Sequence, residues 1–321
     1  MNDEQDYLFD GSGPVDREVE ALEKALRPLA YREREHAVAT KVRAKASWPV
    51  RAAAILALAA AAALMVYHGR GPQAPVAGVS GPSFQVVRET GAPTIGGARL
   101  VGSGDLHEGA WLETDSSSRA NIRVADIGNV RVSPDSKVRI VRTGEREHRL
   151  ALDRGRIDAV VNAPPRLFVV DTPSVSAVDL GCAYHLVVRD DGSSLLHVDT
   201  GQVSLEGKGR EAWVPAGAEC VTRKGLGPGT PSWTDSTPAF HAALVAFDWE
   251  QGALEPVLRE ADTPDTLSLW HVLQRVPEAD RPKVAQRIEK LAPYVSVPEP
   301  ILKSLDAAAL LTLRKSLSHI W

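Results

Sequence analysis

Three patterns of apolar and polar positions follow one another along the chain. Residues 52–67 (AAAILALAAAAALMVY) run sixteen positions without a charge. From about residue 84 the apolar positions alternate with polar ones, and from residue 239 they return at three- and four-residue spacing. The alternating stretch predicts short strands at 119–124 (RANIRV), 137–141 (KVRIV), 156–161 (RIDAVV), 167–170 (LFVV) and 184–188 (YHLVV). Each is rich in Val, Ile and Leu and broken by Gly, Asp, Asn, Ser or Pro, the pattern of an all-β domain over 84–223. The last stretch predicts helices at 239–249, 267–276, 283–291 and 306–320, with Asp265 capping the second and Trp270, Leu273 and Val276 in a small core. An echo, LALDRGRI at 150–157 and LHVDTGQV at 196–203, reads as strand, Asp-x-Gly turn, strand, a hairpin used twice.

The apolar run is extended by Trp48, Pro49, Val50 and a single Arg51, and with Trp48 and Tyr67 at its ends it predicts one transmembrane helix over 48–68. A buried Ala-rich helix would show polar residues on an outer face, and this run has none. A signal peptide would not follow about 45 other residues. Lys41, Arg43, Lys45 and Arg51 precede the run whereas Arg70 alone follows closely, so the positive-inside rule places the N-terminus in the cytoplasm and the bulk outside; in a diderm bacterium the outer compartment is the periplasm. Residues 69–83 hold seven Gly or Pro in fifteen positions and predict an extended linker; residues 224–238 (containing GLGPGTPSWTDSTP) predict a second.

Charge adds a polarity to the N-terminal piece. Residues 1–23 carry eight Asp and Glu against Arg17, a net of −7, and residues 24–51 carry eight Lys and Arg against Glu33 and Glu35, a net of +6. This acidic head on a basic neck includes one amphipathic helix with Val19, Leu22, Leu26 and Leu29 at helical spacing, which Pro28 kinks or ends. The neck suits a surface of anionic lipid. Over all 321 residues the formal charge is −4, and with 44% hydrophobic and 24% charged residues the chain is neither disordered throughout nor a strongly basic binder of nucleic acid.

Candidate chemistry is sparse. His107, His148, His185 and His197 are scattered through the β region without metal-ligand spacing, although His185 and His197 could meet on adjacent strands. Asp190-Asp191-Gly192 reads as a hairpin turn, and neither a phosphate-binding Gly loop nor a GxSxG elbow occurs. Catalytic, cofactor-binding and metal residues are therefore none, and the expectation is a protein that is not an enzyme. With only two cysteines, Cys182 and Cys220, the chain cannot build a metal site from four of them. The two are open to two readings, a disulfide in an oxidising compartment or two buried free thiols.

The outer β region resembles the FecR domain family. The resemblance rests on Gly102 and Gly109 followed by Trp111-Leu-Glu-Thr114, on Leu152-Asp-Arg-Gly155-Arg-Ile157 and Phe168-Val-Val-Asp-Thr172-Pro173, then on Val178-Asp-Leu-Gly181-Cys-Ala-Tyr184, Val198-Asp-Thr-Gly201-Gln-Val203 and Val214-Pro-Ala-Gly217. It implies a mainly β extracytoplasmic domain of rolled or stacked short antiparallel strands, sandwich- or solenoid-like, here joined to one transmembrane helix and a C-terminal α-helical module over 239–321. It further implies a regulator of the anti-sigma type that relays an envelope signal to an extracytoplasmic-function sigma factor, with a periplasmic or outer-membrane protein or a cell-wall component as outer partner and no direct contact with nucleic acid. The Cys182 and Cys220 positions resemble a subgroup in which the two could pair. The head over 1–47 is shorter than the family's usual helical anti-sigma domain and lacks its zinc-ligand pattern. Tyr7, Leu8 and Phe9 with the Val19, Leu22, Leu26 and Leu29 stripe would then contact the sigma factor. The alternative is an envelope scaffold or a glycan- or protein-binding module for which the N-terminus is only an anchor.

Overall fold

The computed structural model describes residues 82–321, so the head, the neck and the expected transmembrane helix lie outside the described residues. Among the described residues no helix is long and apolar enough to cross a membrane. The described residues belong to one compact unit, mainly β with a C-terminal helical region.

Eighteen strands join in one open hydrogen-bonded network that divides into two sheets. The first runs β4 (Ser103–His107), β1 (Ser83–Thr90), β6 (Arg119–Val124), β7 (Gly128–Val132), the C-terminal half of β9 (Glu147–Val161), β12 (Cys182–Val188), β13 (Ser194–Thr200) and β16 (Ala218–Arg223). The short β17 (Gly227–Pro228) and β18 (Ser232–Trp233) lie along the outer side of β16. The second runs β3 (Ala98–Arg99), β2 (Thr94–Ile95), β5 (Trp111–Glu113), β8 (Lys137–Gly144), the N-terminal half of β9, β10 (Phe168–Asp171), β11 (Ser176–Asp179), β14 (Gln202–Gly207) and β15 (Arg210–Pro215). These ladders are antiparallel except β9 with β10.

The alternation seen in the sequence sets the core. Ala120, Ile122 and Val124, Ile157, Ala159 and Val161, and Tyr184, Leu186 and Val188 point inward and meet Leu150, Leu152, Phe168, Val170, Val203 and Leu205 from the other sheet in one hydrophobic cluster.

The echo at 150–157 and 196–203 is not a hairpin used twice. At Gly155 the single strand β9 leaves the second sheet for the first, and at Gly201 the chain passes from β13 in the first sheet to β14 in the second. Both glycines have positive φ, +90° and +75°. A Cβ at Gly155 would stand 2.5 Å from Ser136 Cα, and one at Gly201 would strike the Gly181 carbonyl oxygen. The Asp-x-Gly signal marks a change of direction, and at both places the direction changes between sheets.

Residues 224–238 also depart from the expected linker. They carry β17 and β18, and Gly227 to Ser232 are buried. Small residues and prolines let the backbone turn tightly beneath the helices, where Pro231 O accepts from Ser268 Oγ (2.7 Å) and Pro264 O accepts from Trp233 Nε1 (2.7 Å).

The helical region comprises α1 (Pro238–Trp249), α2 (Leu254–Glu260), α3 (Thr266–Arg275), α4 (Arg281–Leu291), α5 (Glu299–Ser304) and α6 (Ala307–Leu317). Thr237 caps α1 through Phe240 N and Asp306 caps α6 through Ala309 N, each satisfying a free amide of a first turn. Asp265 stands before α3 without capping it by its side chain. Its carboxyl instead accepts from Asp262 N (2.8 Å) and Ser236 Oγ (2.6 Å), locking a 3-10 turn over Thr263–Asp265. Trp270, Leu273 and Val276 are buried in the core of this region.

Candidate functional site

The outward face of the first sheet carries a line of imidazoles and carboxylates that only strand register assembles. Inward Ile157, Tyr184, Leu186, Leu196 and Cys220 force Asp158, His185, His197 and Glu219 outward. Register then sets Arg131 opposite Asp158, Asp158 opposite His185, His185 opposite His197 and His197 opposite Glu219. His185 Nδ1 lies 2.6 Å from Asp158 Oδ1, and its Nε2 lies 3.0 Å from Asp199 Oδ2. His197 Nε2 lies 3.3 Å from the other oxygen of Asp199. The two imidazoles are nearly parallel, with centroids 6.0 Å apart. Arg156 donates from Nε to Asp158 (2.8 Å), and its Nη2 lies 3.1 Å from His185 Nδ1. At the far end His241 of α1 stands 4.0 Å from Glu219 Oε1 and donates from Nε2 to Trp233 O (3.0 Å).

Of the histidines singled out in the sequence, His185 and His197 are thus brought together. His107 and His148 are not: His107 Nδ1 is buried without a partner among the described residues, and His148 sits beside Thr143 Oγ1 (2.8 Å), where burial holds its pKa below the usual imidazole value. Asp158, Asp199, Glu219 and His241 escaped sequence reasoning. Their residue types are ordinary, and the only signal for them is the pairing of five distant segments.

The cysteines stand free and apart. Cys182 Sγ donates to Asp179 Oδ2 (2.8 Å), and Cys220 Sγ donates to Gly229 O (3.2 Å). Cys220 pairs with Leu196, which pairs with Leu186, four residues from Cys182. The two Cα atoms are therefore about 16 Å apart by strand rise and spacing, far beyond the reach of a disulfide. Of the two readings left open, this structure takes that of free thiols. Burial pushes both thiol pKa values up, that of Cys220 to about 12, so neither supplies the thiolate of nucleophilic catalysis. Asp179 is also buried, and desolvation raises its pKa against the hydrogen bonds from Cys182 and the Gly181 amide.

A cleft of about 50 Å³ between β16 and α1 is lined by Glu219, Thr230, His241 and Asp248. It has room for water and not for a cofactor. Among the described residues no group of three or more His, Cys, Asp and Glu is placed to hold a metal ion. The expected sigma-factor contacts Tyr7, Leu8, Phe9, Val19, Leu22, Leu26 and Leu29 lie outside the described residues.

Residues 110–204 match the family model described as FecR protein. The chain carries a FecR domain. The matched FecR stretch opens just before β5 and ends in β14, and it includes the crossing strand β9, His185, His197, Asp199 and Cys182. No curated protein matches the chain. Two crystal structures of a candidate anti-sigma factor from Parabacteroides distasonis, at 1.65 and 2.50 Å resolution, are similar at 14% identity with a TM-score of 0.35. The similarity covers 39% of this chain and 60% of each of those chains, so the chain spans less than two thirds of the length of these relatives.

Proposed function

We propose that the protein is a single-pass regulator of the anti-sigma type, in which the FecR domain and the helical region lie outside the inner membrane and relay a signal to a sigma factor bound by residues 1–47. The observation that carries this reading is the FecR match over 110–204, placed after an uncharged run with basic residues on its N-terminal side. The acidic head offers a complement to a basic DNA-binding surface, and its apolar stripe offers a helix face to dock there. Occupying that surface would exclude promoter DNA or core polymerase. The protein works by binding rather than by catalysis in this reading.

Affinity capture of the tagged full-length chain from gently solubilised membranes tests it, beside a chain lacking residues 1–40 and a Leu22→Asp, Leu26→Asp variant. The reading expects a sigma factor with the intact chain and none with either variant. Recovery of envelope proteins alone, unchanged by the deletion, would replace it with an anchored scaffold.

A further inference from the structure

The line from Arg131 to His241 joins the central strands of the FecR domain to the first helix of the C-terminal region. Its three imidazoles alternate with three carboxylates, and all three are about one-third exposed (35%, 32% and 30%), so protons reach them from solvent. We propose that this row is a proton-responsive clamp: acidification closes it and tightens α1 onto β16, making acid a signal that the domain senses. The proposal rests on the reading of the FecR domain as a sensor and adds the kind of stimulus.

The argument is one of donors and acceptors. Ionised carboxylates and carbonyl oxygens have no hydrogen to give. His241 Nε2 donates to Trp233 O, so in the neutral ring Nδ1 is a bare lone pair facing Glu219 at 4.0 Å. A proton on Nδ1 turns that gap into a charge-assisted hydrogen bond between α1 and β16. Both ring nitrogens of His185 face carboxylate oxygens, Nδ1 at 2.6 Å from Asp158 and Nε2 at 3.0 Å from Asp199; a neutral ring can donate to one of them, and a protonated ring donates to both while Arg156 keeps Asp158 through Nε. His197 shares Asp199 with it and lies in register with Glu219.

The charges around the row give the direction. With neutral imidazoles, Asp158 faces Arg156 at 2.8 Å and Arg131 in register, and Arg131 is also drawn to Glu89 at 3.4 Å, while the ion-pair contacts of Asp199 and Glu219 among the described residues are to the histidines. The Asp265 carboxyl in the neighbouring turn, held by Asp262 N and Ser236 Oγ, is near enough for charge on His241 to act on it. Protons added to the three rings therefore enter a field of carboxylates.

Hydrogen exchange of the full-length chain in lipid nanodiscs at pH 7.5 and 5.5, corrected for intrinsic rate, tests the clamp. The amides of α1 are expected to exchange about two- to fivefold more slowly at pH 5.5, the range set by partly exposed ion pairs. His241→Gln, whose amide can still donate to Trp233 O, and the triple variant with His185→Gln and His197→Gln should abolish the difference; the single variant suffices if the triple does not fold. Equal exchange of α1 at the two pH values in the parent chain, or a difference that survives in His241→Gln, would overturn the proposal. The readout needs no sigma factor, so failure of the capture experiment above leaves it standing, and failure here leaves the cytoplasmic relay untouched.

Discussion

His271 of α3 accepts the backbone N–H of Trp213 at 3.0 Å and thereby caps the edge strand β15 with a side chain. An unpaired strand edge is a template for aggregation, and here the helical region covers it. The cap continues through Trp213: its ring meets Trp321 at 5.5 Å and Arg314 at 4.7 Å, and its Nε1 donates to Gln202 Oε1. His271 Nδ1 donates to Leu267 O (2.9 Å), which leaves Nε2 as the acceptor and requires the neutral ring.

This fixes a pH dependence. Burial pulls the folded-state pKa of His271 down to about 3, with Arg275 adding to the effect. The unfolded chain takes a proton near 6.5, so the stabilisation is fully present above that pH and is lost as the pH falls toward the folded value. The expected loss is about 1.4 kcal/mol per pH unit below 6.5, or about 3 kcal/mol by pH 4.5. Urea unfolding of His271→Leu should show a loss of about 1–3 kcal/mol at pH 7.5, for the orphaned amide, and a flatter acid limb than the parent. Acid limbs of equal slope would show that His271 is not the group responsible.

The two corner glycines should resist replacement. Gly201→Ala meets both a φ of +75° and the Gly181 carbonyl oxygen, and Gly155→Ala meets a φ of +90° and Ser136. Each should cost more than about 3 kcal/mol or prevent folding. Gly209 also has positive φ (+70°) but open space around the missing Cβ, so Gly209→Ala should cost only about 1–2 kcal/mol. Comparable thermal stability for Gly201→Ala and Gly209→Ala would mean that strand crossing does not depend on close backbone approach.

The same corners show how far the sequence can be read. Strands such as β6 were legible because Ala120, Ile122 and Val124 point inward while Arg119, Asn121 and Arg123 do not. The helices α1, α3, α4 and α6 were legible from their apolar spacing. The seven-residue α2 and six-residue α5 are too short for periodicity to register, and the two-residue strands carry none. At Gly155 and Gly201 the local signal was right about the backbone and silent about which sheet lies on either side. The histidine row was half legible. Residues 185 and 197 flank an evident turn and pair across it, whereas Glu219 and His241 join them only through the order of strands and the docking of α1, which are long-range outcomes of packing.

The separation of the cysteines predicts chemistry. Protein isolated without reductant, then denatured and alkylated, should label at both Cys182 and Cys220, and the native protein should label slowly at each because both are buried. Reductant should leave the melting temperature unchanged. A protein that is about 2 Da lighter, the mass of the two thiol hydrogens lost to a disulfide, and blocked to alkylation would mean that the two strands carrying these residues are arranged differently.

Within the helical region Arg275 of α3 pairs with Asp248 of α1 at 2.9 Å, with side-chain exposures of 10% and 5%. Arg275 reaches from α3 to Gly229 O (2.9 Å), while Asp248 of α1 accepts from Thr230 N (2.5 Å) and Thr230 Oγ1 (2.9 Å). The pair thus ties two helices to the stretch between β17 and β18. Burial lowers the Arg275 pKa against the attraction of Asp248, as expected when desolvation offsets much of the Coulomb gain. The asymmetry between breaking and replacing such a pair is the test. Arg275→Met leaves a buried carboxylate with two neutral donors and should cost about 3–5 kcal/mol. Adding Asp248→Asn removes the stranded charge and keeps an acceptor for Thr230, so the double variant should recover about half of that loss. If the double variant is no more stable than Arg275→Met alone, the cost lies in lost packing of the arginine stem, and the ion pair is not what fastens α1 and α3 to the sheet.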